Sequence, residues 1–235
     1  MNKLAVVTGS TKGIGKAIVE KFAQNGFDIV ANARNEADLK ALQTNIQTQY
    51  PQVQLHYQAT DMAVKEQVVR FANYVKSLQQ PIEVLVNNAG VFMPGQIHNE
   101  EEGILETMIN TNLYSAYHLT RSLMPELLAQ KSGYVFNMCS VASVTAYPNG
   151  GSYSISKFAL YGMNKVLREE MKDKNIRVTA ILPGATLTPS WDGVDLPEER
   201  FIKAQDVAET VFSAYSMSPS AVVEEILIRP QLGDI

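Results

Sequence analysis

Apolar positions along the chain alternate between two patterns. Short runs rich in β-branched residues read as strands: Leu4 to Val7, Phe27 to Ala33, Val53 to Ala59, Ile82 to Val86, Tyr134 to Met138, Ile176 to Leu182 and Val222 to Ile228. Several are apolar at consecutive positions, as strands covered on both faces require. Between them, Ile14, Ile18 and Phe22, and then Val64, Val68, Phe71, Val75 and Leu78, keep spacings of three and four, the mark of one helix face. The Gln-rich stretch 43–54 reads as a solvated helix end and turn. This alternation predicts parallel βαβ units wound into a mostly parallel seven-stranded sheet flanked by helices, an α/β doubly wound, Rossmann-type fold. No linker, repeat or composition shift divides residues 1–235, so a single domain is expected, with ligand beyond the carboxyl ends of the strands.

Composition narrows the function classes. The chain has 235 residues, 46% of them hydrophobic and 19% charged, which is ordinary for a globular domain and unlike a disordered one. Its net charge of −4 comes from mixed acidic and basic residues with no continuous basic face, which argues against nucleic acid as a partner. The run Leu4 to Val7 is too short for a signal-peptide core, and no stretch reaches a membrane span, so no membrane partner is expected and a cytoplasmic location is the default. Cys139 is the sole cysteine, which forbids an internal disulfide, and its place beside Tyr134 to Met138 favours buried packing over a reactive thiol. His56, His98 and His118 show no metal-ligand spacing, and no metal is expected.

The first chemistry-bearing segment follows the first strand: Thr8-Gly9-Ser10-Thr11-Lys12-Gly13-Ile14-Gly15, opening directly into a helix. Gly9 lets the chain turn, Gly13 clears space for a pyrophosphate, and Gly15 allows close helix packing. The helix start, from Ile14, then offers free N–H groups and a positive dipole end. The glycine spacing departs from G-x-G-x-x-G and resembles that of the short-chain dehydrogenase/reductase family. At the second strand tip, Asn32-Ala33-Arg34-Asn35 carries no acid for a ribose 2′-hydroxyl. Arg34 offers a planar fork to a 2′-phosphate, and Lys12 reaches the same corner. Family members preferring NADP(H) look alike at both positions, so NADP(H) is the expected cofactor. The rival is that Arg34 is solvated and Glu36 takes the ribose.

The second segment is Tyr153-Ser154-Ile155-Ser156-Lys157, whose Tyr and Lys share one helix face. A phenol of pKa about 10 is a poor base at neutral pH, and a neighbouring ammonium is expected to lower it. Tyr161 and Lys165 repeat the spacing, but Tyr153 begins its helix near the ligand edge, whereas Tyr161 lies roughly 12 Å further along. Ser140 precedes Tyr153 by thirteen positions, while Pro148 stands at that distance from Tyr161.

The resemblance extends this set residue by residue. It implies that Ser140 binds the substrate oxygen, with Ser143 as its rival, and that Lys157 also holds the nicotinamide ribose. It makes Asn112, rather than Asn110, the residue that holds a water for proton relay; a buried asparagine bonding backbone is the alternative. Asn88, Ala89 and Gly90, within Asn87-Asn88-Ala89-Gly90, would steady the central sheet and meet the adenine ribose, and Asp61 would bond the adenine amino group. Pro183, Gly184, Thr186 and Thr188 would hold the carboxamide. Substrate identity falls to Phe92, Met93, Tyr147 and Trp191, with a short substrate loop at about 189–204 and Trp191 as one wall of an open pocket.

The implied activity is hydride transfer between NADP(H) and a small-molecule carbonyl or secondary alcohol. A 3-oxoacyl-[acyl-carrier-protein] reductase is one alternative, disfavoured because the segment Ile226 to Gly233 lacks that group's paired-glycine turn. A non-catalytic NADP(H)-binding sensor or scaffold is another, disfavoured because Asn112, Ser140, Tyr153 and Lys157 are all present. The resemblance also implies a homo-oligomer, a dimer or tetramer.

Overall fold

Strand and helix alternate through residues 2–235, the part of the chain that the computed structural model describes. The elements run β1 (Leu4–Val7), α1 (Gly13–Gln24), β2 (Asp28–Ala33), α2 (Glu36–Gln49), β3 (Leu55–Ala59), α3 (Lys65–Ser77) and β4 (Ile82–Asn87). They continue with α4 (Ile104–Ile109), a π-helical turn Asn110–Tyr114, α5 (Ser115–Gln130), β5 (Gly133–Met138), α6 (Gly151–Met171) and β6 (Ile176–Pro183). A two-stranded pair, β7 (Thr186–Leu187) and β8 (Ile202–Lys203), precedes α7 (Ala204–Ser216) and β9 (Glu225–Ile228). Seven strands form one sheet in the order β3-β2-β1-β4-β5-β6-β9, and every pairing in it is parallel.

Burial explains why the strands are apolar at consecutive positions. In β1, Ala5 and Val7 enter the layer with Ile18 and Phe22 of α1, Leu39 and Ile46 of α2, and Val207 and Val211 of α7. Leu4 and Val6 enter the opposite layer, with Val68 and Phe71 of α3 and Leu119 and Leu123 of α5. Both faces are thus withdrawn from water, at roughly 25 cal/mol of gain per Å² of apolar surface. Among the described residues, no helix is long and apolar enough to cross a membrane.

All seven expected strands are found, with three starts corrected. Phe27 stands before β2, because its N–H returns to Phe22 O at 3.1 Å and its ring packs edge-on against Phe22. Val53 belongs to the preceding turn, donating to Tyr50 O at 2.9 Å, and the ladder begins only where Ile29 faces Leu55. Val222 and Val223 pack against the core, but pairing with β6 starts at Glu225 opposite Ala180. The β7–β8 pair that brackets the substrate loop carries no expectation from sequence; two residues per strand are too few to show a period.

A buried amide chain crosses the centre of the sheet. Asn87 Nδ2 donates to Thr120 Oγ1 at 2.8 Å and to Asn137 Oδ1 at 2.9 Å, and Asn137 Nδ2 donates to Asn164 Oδ1 at 2.8 Å. Asn137 is fully buried, so its removal leaves polar neighbours unpaired away from water. Asn137→Leu is therefore expected to lower the unfolding free energy by about 2–4 kcal/mol at an unchanged m-value, read by urea denaturation. A loss below about 0.5 kcal/mol would show that the chain of amides carries no stability.

Candidate active site

The strand order reverses between β1 and β4, and a crevice opens there beyond the carboxyl ends of the strands. It encloses about 990 Å³. Every residue singled out for cofactor lines it, from the Gly9–Gly15 turn through Arg34, Asp61, the Asn88–Gly90 segment and the Pro183–Thr188 segment to Tyr153 and Lys157. Ser140, Phe92, Tyr147 and Trp191 line it too. Asn112 and Met93 do not.

The glycine turn is built to leave its backbone bare. Gly9 (φ 65°) and Gly13 (φ 51°) occupy left-handed conformations, and a Cβ on Gly15 would stand 2.1 Å from Gly9 O. Thr8 and Asn88 tie the turn across the crevice: Thr8 Oγ1 accepts the N–H groups of Asn88 (3.0 Å) and Ala89 (2.9 Å), and Asn88 Nδ2 donates to Thr8 O and Gly9 O. Helix α1 has no side-chain cap and no acid in its first turn, whereas α2 is capped by Asn35 and begins with Glu36 and Asp38. The first-turn donors of α1 and its dipole end are thus available to an anion. Lys12 and Arg34 are exposed on this wall and enter no salt bridge among the described residues. The rival Glu36 lies off the crevice; of the two acids that begin α2, Asp38 is the one that lines it.

Tyr153 sits in the first turn of α6 with its phenol at the crevice, and Ser140 ends β5 beside it. Ser140 Oγ accepts Ala142 N–H at 3.1 Å, which leaves its own proton to be donated towards Tyr153 or a ligand. The rival Ser143 is fully buried and caps Ser140 N–H at 3.1 Å, which accounts for it structurally. Burial pushes the Tyr153 phenol above its ordinary value; the Ser140 hydroxyl opposes the rise and the Cys139 thiol adds to it. The expectation that Lys157 lowers the phenol is corrected here. The Lys157 ammonium is drawn to Met138 O at 2.8 Å and stands 5.8 Å from the Tyr153 ring centroid, and burial lowers its own pKa to about 8.

Asn112 is buried in the π-helical turn, and its side chain is fully engaged elsewhere. Its Oδ1 accepts Val91 N–H at 2.7 Å, while Nδ2 donates to Val91 O at 3.0 Å and to Ser156 Oγ at 2.9 Å. The alternative of a buried asparagine bonding backbone therefore describes its side chain, which clamps the start of the loop after β4 to α6. It remains a neighbour of Lys157: a Cβ on Gly90 would lie 3.2 Å from Asn112 Oδ1 and 3.6 Å from Lys157 Nζ. Met93 misses the crevice because Phe92 is the residue of that pair that turns in, lying edge-on to Tyr153 with centroids 4.9 Å apart. Trp191 is both a wall and a packed residue, edge-on to Phe201 at 5.2 Å. Burial and the neighbouring Tyr153 push the Tyr147 phenol to about 12.

The repeated pair, Tyr161 and Lys165, is spent on structure, since both side chains bond Glu225 on β9. Cys139 is 3% exposed, and burial raises its thiol to about 12. Residues that sequence reasoning passed over include Thr8, Asn32 and Glu100. Thr8 was visible in the glycine turn, and Asn32 as a polar end to an apolar strand; Glu100 left no local signal, because its partner lies fifty-two positions away.

Comparison with known proteins identifies the family and matches the fold. The family model described as short chain dehydrogenase matches residues 3–198. A sepiapterin reductase of Chlorobaculum tepidum is 32% identical over 244 residues, covering 100% of this chain and 99% of that one. Among solved structures, an alcohol dehydrogenase from the archaeon Thermococcus sibiricus complexed with 5-hydroxy-NADP superposes with a TM-score of 0.93 at 25% identity, covering 100% of this chain and 99% of that one. An L-sorbose reductase from Gluconobacter frateurii complexed with NADPH and L-sorbose gives 0.89 at 28% identity, covering 97% and 95%. The chain belongs to the short-chain dehydrogenase family.

The desolvated lysine yields a direct expectation. In the ligand-free protein, the Lys157 ε-methylene resonances should titrate with a midpoint near 8, read by lysine-selective NMR. A midpoint at the ordinary 10.5 would contradict the burial argument. Because the folded value is depressed, this lysine opposes folding while charged, and its penalty fades as pH rises from about 8 towards 10.5.

Proposed function

We propose that this short-chain dehydrogenase is an NADP(H)-dependent reductase of uncharged carbonyl compounds, or a dehydrogenase of the matching secondary alcohols, with Tyr153 as proton donor and acceptor. One observation carries the reading: the Tyr153 phenol and the Ser140 hydroxyl beside it line the same crevice as a bare glycine turn and an uncapped helix start. The residues present fit a dinucleotide. Gly9, Gly13 and Gly15 leave room where side chains would intrude, and the first-turn N–H groups of α1 would hold its pyrophosphate. Arg34 and Lys12 would hold a 2′-phosphate, the feature that separates NADP(H) from NAD(H).

When bound, the nicotinamide supplies or accepts the hydride; the chain supplies orientation and proton transfer. In the reducing direction, Ser140 donates a hydrogen bond to the carbonyl oxygen, which steadies the charge that grows there. Tyr153 gives that oxygen its proton, and the phenol is then restored from solvent. Its raised pKa keeps it protonated at neutral pH, which suits an acid. Lys157 places a cation beside the tyrosinate when it forms, and Asn112 keeps Val91 and Ser156 in place beneath it.

The substrate class follows from charge. Lys12, Arg34 and Asp61 belong to the turns after β1, β2 and β3, and Asp38 to the first turn of α2, the end assigned to the adenosine. Elsewhere, among the described residues, the crevice wall carries two charged side chains, Lys157 and Asp234, and Asp234 is paired with Arg229 at 2.5 Å. The remaining walls, among them Phe92, Tyr147, Val141 and Trp191, offer an anionic substrate no free cation. That disfavours carboxylates and carrier-protein thioesters with their phosphate-bearing arm.

Fluorescence of Trp191, the sole tryptophan, reports cofactor titration. NADPH is expected to bind at least about 10-fold tighter than NADH, and Arg34→Asp should erase the difference. NADPH consumption with 4-nitrobenzaldehyde should exceed that with acetoacetate. Equal affinity for the two nicotinamides would overturn the cofactor assignment, and a preference for acetoacetate would overturn the substrate class.

A further inference from the structure

Helix α6 carries Tyr153 and Lys157 but has no cap of its own. Gly150 at its N-cap offers no side chain, and its first turn contains no acid. The missing acceptor arrives from the loop between β4 and α4. One carboxylate oxygen of Glu100 accepts Ser152 N–H at 2.9 Å, and the other accepts the Ser152 hydroxyl. The cap thus comes from fifty-two positions upstream, whereas a helix ordinarily takes it from its own N-cap residue.

The same loop is fixed to the helix start by backbone. Gly95 N–H donates to Asn149 O at 3.1 Å, Gly95 forms an isolated parallel bridge with Gly150, and Gln96 Nε2 donates to Asn149 Oδ1 at 2.9 Å. Space around the carboxylate is tight: a Cβ on Gly151 would lie 1.9 Å from Glu100 Oε1, and one on Gly95 would lie 2.6 Å from Glu100 Cγ. Tyr153 directly follows Ser152, and Phe92, on the same loop as Glu100, rests edge-on against its ring.

We infer that Glu100 is a positioning residue for the reaction, holding the first turn of α6 so that the Tyr153 phenol stays against Phe92 and beside Ser140. The inference rests on the acid–base role proposed for Tyr153. What the site needs from residue 100 is two hydrogen-bonding atoms on a side chain of that length. Glutamine keeps both contacts, because its Oε1 accepts the Ser152 N–H and its Nε2 donates to Ser152 Oγ. Alanine keeps neither. Displacement of a reacting group by about 1 Å can cost as much as 10²-fold in rate, which sets the scale of the effect.

The test compares wild type, Glu100→Ala and Glu100→Gln, using NADPH and 4-nitrobenzaldehyde. Glu100→Ala is expected to lower kcat by about 10-fold or more with the KM for NADPH within about twofold, and Glu100→Gln to restore most of kcat. Hydrogen exchange at the Ser152 amide should quicken in Glu100→Ala and recover in Glu100→Gln. Unchanged kcat in Glu100→Ala, even with a lowered Tm, would make the contact merely structural and overturn the proposal; so would equal losses in both variants. If the wild-type protein fails to turn over any carbonyl probe, the reading of Tyr153 falls first. The ¹³Cζ resonance of Tyr153 then decides the positioning claim alone: a shift in Glu100→Ala that Glu100→Gln reverses upholds it, and no shift overturns it.

Discussion

The divergence of β1 and β4 at the switch in strand order is the constraint from which the site follows. The two strands pair as far as Val7 opposite Val86, and the chains beyond them then leave in different directions. Thr8 and Asn88 span that opening with four hydrogen bonds, so the glycine turn and the segment after β4 move as one wall. Because every strand is parallel, all the strand tips that bear site residues lie at the same edge of the sheet. The buried amides of Asn87, Asn137 and Asn164 extend the same rigidity to β5 and α6, which deliver Ser140 and Tyr153.

Electrostatics at the site are governed by desolvation. Tyr153 and Lys157 are displaced in opposite directions by the same burial, and each shift favours the uncharged form. A protonated phenol and an ammonium that sheds its proton readily are suited to relaying a proton between crevice and solvent. Exposed pairs such as Lys16–Glu20, Lys172–Glu169 and Lys174–Asp173 contribute little, since surface pairs are worth about 0–1 kcal/mol. The burial that stabilises the fold is therefore also what tunes the reactive groups.

Most of the architecture was legible in the sequence, because two-sided burial writes a continuous apolar run and amphipathic helices write a period near 3.6. The strand starts at Phe27, Val53 and Val222 were misread for a shared reason: an apolar side chain can pack on the core while its backbone still belongs to a turn. The site was legible wherever a residue's role depends on local spacing, as for Gly9 to Gly15 or for Tyr153 and Lys157. It was illegible where partners are distant in sequence. The Asn112 side chain meets Val91 and Ser156, and Glu100 meets Ser152, only through the fold. The opposing pKa shifts were likewise hidden, since spacing reports that an ammonium is near but not how dry it is.

The proposed proton transfer depends on the phenol of Tyr153. Rapid-mixing measurement of NADPH oxidation by wild type and Tyr153→Phe, alongside NADPH binding followed by Trp191 fluorescence, addresses it directly. The phenylalanine variant is predicted to bind NADPH as wild type does while its rate falls by about 10²–10⁴-fold. A variant that binds NADPH and still oxidises it at the wild-type rate would contradict the account.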